Sequence, residues 1–83
     1  MNYYTIMEIS THNTPDDCWI YANNNVYNVT KFIKKHPGGL NSIIKYAGKD
    51  CSIHYSFHTE KAKTEWKKYK IGEITNNNCC IIN

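Results

Sequence analysis

The chain has no arginine: all ten of its basic residues are lysine, set against seven acids for a net charge of +3. Without the planar guanidinium forks that read phosphates and base edges, nucleic-acid binding has little to stand on. Long apolar runs are also missing. No stretch approaches the roughly 18 residues that span a bilayer, and the opening MNYYTIMEIS lacks the basic start and apolar centre of a secretory signal. The expectation is a soluble cytoplasmic body, monomeric, with no transmembrane anchor. Glycine and proline are scarce too, four and two residues, which makes the places where they cluster informative. The four cysteines, Cys18, Cys51, Cys79 and Cys80, are too few and too oddly spaced for a secreted disulfide framework and read as reduced thiols.

What is present suits one small folded domain. Eighty-three residues with 41% apolar and 20% charged side chains match ordinary globular composition. A core this small barely offsets the entropy of ordering the chain, so a ligand, metal or partner is to be looked for. Tyr3 to Ile9 reads as a short strand leading into a turn of helix, and Ser10 to Asp17 as an irregular loop in which His12 holds the chain by hydrogen bonding. The run from Cys18 to Ala22 and that from Val26 to Val29, joined by three asparagines, predict a β-hairpin with Trp19 filling the core. Thr30 can cap a helix over Lys31 to Lys35, stopped before Pro37. Further short helices fit Leu40 to Tyr46, with Gly48 as terminator, then Asp50 to Phe57 and Glu60 to Tyr69, before a closing strand over Ile71 to Ile74. Strands and helices mix without βαβ alternation, so the class is α+β: a small mixed sheet with short helix pairs forming a cleft. Residues 1–74 make the domain, and residues 75–83 a polar, flexible tail.

The histidines carry the chemistry. His36 and His58 lie 22 residues apart, each at the end of a short apolar helical segment and each followed by a break. Two imidazoles presented from opposite walls of a cleft suit a flat metal-bearing ligand such as haem. Pro37 limits how His36 can turn, and Gly38 and Gly39 let backbone approach closely. Val29, Phe32, Ile43, Tyr55, Phe57 and Tyr69 would supply apolar and aromatic walls. Trp66 either closes the cleft or lies along a surface helix.

The segment His36-Pro37-Gly38-Gly39, then Ala47-Gly48-Lys49-Asp50 and His58, resembles the haem-binding core of the cytochrome b5 family. Tyr4-Thr5, Glu8-Ile9, His12-Asn13, Cys18-Trp19-Ile20, Val26 to Phe32, Ala62, and Tyr69 to Ile74 follow the family in the same order, over about nine-tenths of the chain. The resemblance implies a non-covalent b-type haem ligated by His36 and His58, in a module that is not an enzyme and passes single electrons from a flavin reductase to a haem- or iron-dependent oxidase such as a desaturase. It also implies that Thr59 reaches a haem propionate, besides capping the helix that follows, and that Ala62 lies at the pocket. A haem- or steroid-binding regulatory module of the same fold is the alternative.

Several residues depart from the family pattern. The two histidines are a residue or two closer than is usual, Asn28 replaces an Asp, and Glu65 stands where an apolar residue beside the haem is common. His54, four residues before His58, is the competing ligand. Leu40 and Asn41 stand where many relatives carry acids, and Lys34, Lys35, Lys45 and Lys49 fall near that rim, so charge steering is expected to be weak or reversed toward an acidic partner. Lys61, Lys63, Lys67, Lys68 and Lys70 are either a solvated face or a further attraction to an acidic partner or anionic membrane. Cys80-Ile81-Ile82-Asn83 has the form of a C-a-a-X lipidation signal with Cys79 beside it, although Asn is a poor final residue; peripheral membrane association is the alternative to a plain tail with two thiols.

Overall fold

A computed structural model describes residues 2–35 and 43–75. The chain opens with β1 (Tyr3–Tyr4) and α1 (Ile6–Thr11). Thr5 caps α1, its hydroxyl accepting the Glu8 N–H at 3.0 Å, the first half of a Thr-x-x-Glu capping box. The stretch expected to be an irregular loop is more ordered than that: α1 runs on to Thr11, and β2 (Asn13–Thr14) pairs with the next strand. Two-residue strands carry too little periodicity to read from sequence.

The hairpin is β3 (Asp17–Ala22) and β4 (Asn25–Asn28). Its turn residues Asn23 and Asn24 have φ of 51° and 74°, the paired left-handed conformation of a type I′ turn, which asparagine tolerates well. Alternation along β3 buries Cys18, Ile20 and Ala22 on one face. Trp19 therefore sits on the other face, outside the main core cluster, where Tyr4 meets it edge-on and His12 stacks on it with ring centroids 3.6 Å apart. His12 Nδ1 also bonds both Asp17 carboxylate oxygens, at 2.9 and 2.8 Å, and this ties down the chain between α1 and β3.

After the hairpin come α2 (Thr30–Lys35), α3 (Ser52–Ser56), α4 (Glu60–Lys67) and β5 (Lys70–Ile74). Thr30 does not cap α2 as expected. Its hydroxyl accepts the Cys18 N–H, which binds the helix to β3, and Asn28 Oδ1 takes both the Thr30 N–H and hydroxyl. Asn28 fills this role because a side-chain carbonyl oxygen two residues upstream accepts as a carboxylate would. The sheet order is β1-β5-β4-β3-β2, with β1 parallel to β5 and the other pairs antiparallel. This mixed sheet beside short helices is the expected α+β class.

Two backbone features place α3 against the sheet. Gly48 takes φ +71°, and the turn it makes sends residues 48–51 along β3: Gly48 N–H bonds Trp19 O, Tyr21 N–H bonds Lys49 O and Cys51 N–H bonds Tyr21 O. Asp50 Oδ1 then accepts the Ser52 N–H and hydroxyl, starting α3. Gly72 allows β5 to pass close to the N-terminal segment: a Cβ there would run into the Asn2 carbonyl and come within 2.8 Å of the Tyr4 ring. Gly72→Ala is expected to cost about 1–3 kcal/mol in urea unfolding, the usual cost of overpacking, with little change in the cleft described below.

Cys18 and Cys51 are buried free thiols, each pushed up to about 11, mainly by burial and secondarily by a neighbouring Asp, Asp17 for Cys18 and Asp50 for Cys51. Burial likewise raises Tyr21 and Tyr27. The folded chain thus holds protons that the unfolded chain releases. Stability from these groups is complete below the unfolded thiol value and is lost as pH rises from about 9 through about 11. Melting temperatures across that range should fall, and both thiols should stay unreactive to a disulfide reagent at pH 8 until the chain unfolds.

Candidate functional site

A cleft opens between the sheet and the helices. Ile20 of β3, Val29, Phe32, Ile43, Cys51, Trp66 and Tyr69 line it, with Tyr46, His54, His58 and Glu65 completing the lining, and Phe32 meets Tyr69 edge-on at 5.7 Å. Its cavity volume is about 70 Å³, small beside the roughly 300–1,000 Å³ of cofactor and small-molecule sites, so a ligand of that size would have to part its walls. The lining is dominated by apolar and aromatic side chains.

His58 stands between the end of α3 and the start of α4. Its backbone N–H bonds Tyr55 O, and the next residue, Thr59, caps α4 by accepting the Ala62 N–H at 3.2 Å. His58 Nδ1 lies 2.9 Å from the carbonyl oxygen of His54. A carbonyl has no proton to give, so Nδ1 is the donor, and a neutral ring in that tautomer keeps its lone pair on Nε2. The ring is held on two further sides, by His54 at 5.0 Å and Trp66 at 5.2 Å between centroids, both edge to face. Trp66 is itself braced by Tyr27 and Tyr55. The His54 carbonyl, which also accepts the Phe57 N–H at 3.2 Å, and two aromatic rings thus fix one imidazole with its Nε2 lone pair unengaged.

His54 also lines the cleft, stacked on Tyr46 at 5.4 Å. Burial, then the neighbouring His58 and Lys45, hold its pKa below the ordinary histidine range. Its backbone carbonyl orients His58, while its side chain has no such anchor. The competing-ligand reading is therefore the weaker of the two on geometry.

Of the other residues expected at the site, Val29, Phe32, Ile43, Trp66 and Tyr69 do line the cleft. Tyr55 packs behind it, edge-on to Trp66 at 4.8 Å. Thr59 and Ala62 form the start of α4 and do not line the cleft. Phe57, expected as a wall, is 82% exposed; it lies past the last turn of α3, where the chain turns His58 inward and leaves Phe57 in solvent. His36, Pro37, Gly38 and Gly39 lie outside the described residues, as do Leu40, Asn41 and the tail with Cys79 and Cys80. Ile20, Tyr46 and Cys51 were not anticipated as lining. Ile20 could have been found from the alternation along β3; nothing local marks Tyr46 or Cys51.

Apolar walls and an imidazole with a pre-set Nε2 lone pair fit a haem. The comparisons with known proteins agree with the geometry. Residues 5–75 match the model of the cytochrome b5-like haem/steroid-binding domain. The chain belongs to that family. It is similar to nitrate reductase [NADH] of Cucurbita maxima, 43% identical over 74 residues, and to that of Spinacia oleracea, 44% identical over 72 residues; these stretches cover 88% and 86% of this chain but 8% of each enzyme. Among solved structures it is similar to cytochrome b5 of Ostreococcus tauri virus 2, with TM-score 0.76, 33% identity and coverage of 87% of this chain and 95% of that one. Cytochrome b558 of Ectothiorhodospira vacuolata, a prokaryotic homologue of cytochrome b5, gives TM-score 0.78 and 25% identity over 88% of this chain and 98% of that one.

In the haem-free protein at pH 7.5, long-range ¹H–¹⁵N correlation spectra should show His58 protonated at Nδ1 and bare at Nε2. A dominant Nε2–H form would mean that the His54 carbonyl does not set the ring.

Proposed function

We propose that this chain is a one-electron carrier that holds a non-covalent b-type haem through His36 and His58. The observation that carries this reading is the His58 ring, whose Nδ1–H is committed to the His54 carbonyl and whose Nε2 is left as a metal ligand. Held by His36 and His58, a haem would supply an iron that gains and loses one electron and would leave no site open for dioxygen or substrate. The lack of a Cys-x-x-Cys-His segment accords with non-covalent binding.

The chain's own residues bind and orient. Val29, Phe32, Ile43, Trp66 and Tyr69 keep water from the buried side of the cleft. Thr59 spends a hydroxyl lone pair on the α4 cap and keeps its proton, which the family resemblance would give to a haem propionate. His54 contributes its backbone carbonyl. A steroid hydroxyl could donate only a hydrogen bond to that lone pair, whereas a haem iron would take it as a ligand, so the lone pair favours haem over the steroid alternative.

In this reading the chain relays electrons and makes no bonds in a substrate. A flavin reductase would reduce it, and a haem- or iron-dependent oxidase would reoxidise it. Its likeness to a short stretch of enzymes named for NADH and nitrate reduction supports a place in such a relay. No helix among the described residues is long and apolar enough to cross a membrane, which accords with a carrier that meets its partners by diffusion.

The test is the absorption spectrum of the haem-reconstituted chain before and after dithionite. A low-spin spectrum in both states is expected. His36→Ala and His58→Ala should each abolish it, whereas His54→Ala keeps the orienting carbonyl and should leave it nearly unchanged. If His54→Ala abolishes it and His58→Ala does not, the ligand assignment is wrong.

A further inference from the structure

Among the described residues, the cleft is lined by apolar, aromatic and imidazole side chains at every position but one, Glu65. No lysine joins that lining to offset the carboxylate. Glu65 stands on α4 next to Trp66, whose ring meets the His58 ring edge-on at 5.2 Å. Its carboxylate lies 3.1 Å from the Lys68 ammonium, and the pair sits at the solvent edge, the two side chains 54% and 66% exposed. The other acid of α4, Glu60, is 95% exposed, lies 3.9 Å from Lys63 and does not line the cleft. An exposed pair such as Glu65 and Lys68 adds little to stability. What it changes is the field in the cleft, because the negative member borders an apolar space and the positive member faces water, which screens it.

We propose that Glu65 sets the reduction potential of the carrier: its carboxylate favours the ferric over the ferrous form of a haem held in the cleft, and Lys68 limits how far. The proposal rests on the electron-carrier reading and names the residue that tunes it. The ferric centre carries one more positive charge than the ferrous, and one electron is gained or lost between them with no proton or group transferred. A fixed negative charge stabilises the more positive form, the more so where apolar walls keep water and ions away. Glu65 acts through space on that charge and not as a ligand. Solvent and Lys68 both screen a half-exposed carboxylate, so the expected bias toward the ferric form is about threefold.

The test is a spectroelectrochemical titration of the haem-loaded full chain with small dye mediators, at an ionic strength of about 10 mM. Glu65→Gln should raise the midpoint, favouring the ferrous form about threefold over the parent, or about 30 mV for one electron. Lys68→Gln, which leaves the carboxylate without its counter-charge, should lower it. Glu60→Gln removes the same charge from the same helix away from the cleft and should leave the midpoint in place. All three variants should keep the parent's low-spin spectrum, which shows that ligation is unaltered. A midpoint that ignores Glu65→Gln, that moves as far for Glu60→Gln, or that rises with Lys68→Gln would overturn the proposal. If Glu65→Gln fails to fold or to take up haem, the opposite responses expected of Lys68→Gln and Glu60→Gln, a fall and no change, still decide it. A parent chain that takes up no haem would overturn the carrier reading itself, and the proposal with it.

Discussion

The domain's central constraint is a core it does not close. Its buried cluster, Cys18, Ile20, Ala22, Tyr27, Val29, Ile33, Ala47 and Cys51, is backed by one face of a small sheet, but the helices on that face meet it around a cleft. Apolar walls facing water are unfavourable, and a chain this short has little burial elsewhere to offset them. The same geometry that weakens the empty domain makes it a receptor for a flat apolar ligand. Binding is then part of folding rather than an addition to it.

The site depends more on backbone than on side chains. Gly48 starts the turn that lays residues 48–51 along β3, Asp50 accepts the Ser52 N–H where α3 begins, and the end of α3 offers the His54 carbonyl to His58. The first two steps satisfy backbone groups that would otherwise be left without partners, and the third adds the His58 ring to a carbonyl that already accepts the Phe57 N–H. The His58 ring is thereby held in one orientation, which lowers the cost of ordering it in any contact it makes. Tyr27, Tyr55 and Trp66 form the aromatic brace behind it, so the ring is held by contacts that reach back to β4.

The elements that could be read from sequence are those with a local cause. The hairpin followed from alternation and its asparagine turn, α4 from Thr59 and the break before it, and the end of the turn after Tyr46 from Gly48. His58 was marked by its position after a short helix, and five of the cleft's apolar residues by their apolar or aromatic side chains in the segments around the two histidines. What escaped depended on tertiary contact. Nothing local says that Thr30 bonds β3 instead of capping its own helix, or that Trp19 and His12 stack on the face away from the core. Phe57 was misplaced because a shortened connection before His58 decides which residue turns inward. Cys51 reads as a plain thiol until β3 brings it to the cleft.

The central claim is that the cleft is completed by its ligand, and the most direct measurement compares thermal unfolding of the haem-free and haem-loaded chain. At a thousandfold excess of haem over Kd, binding adds about 4 kcal/mol to the folded state. For a domain of this length each kcal/mol moves Tm by about 4–8 °C, so the loaded form should melt about 15–30 °C higher. Equal melting temperatures at saturating haem would contradict the account.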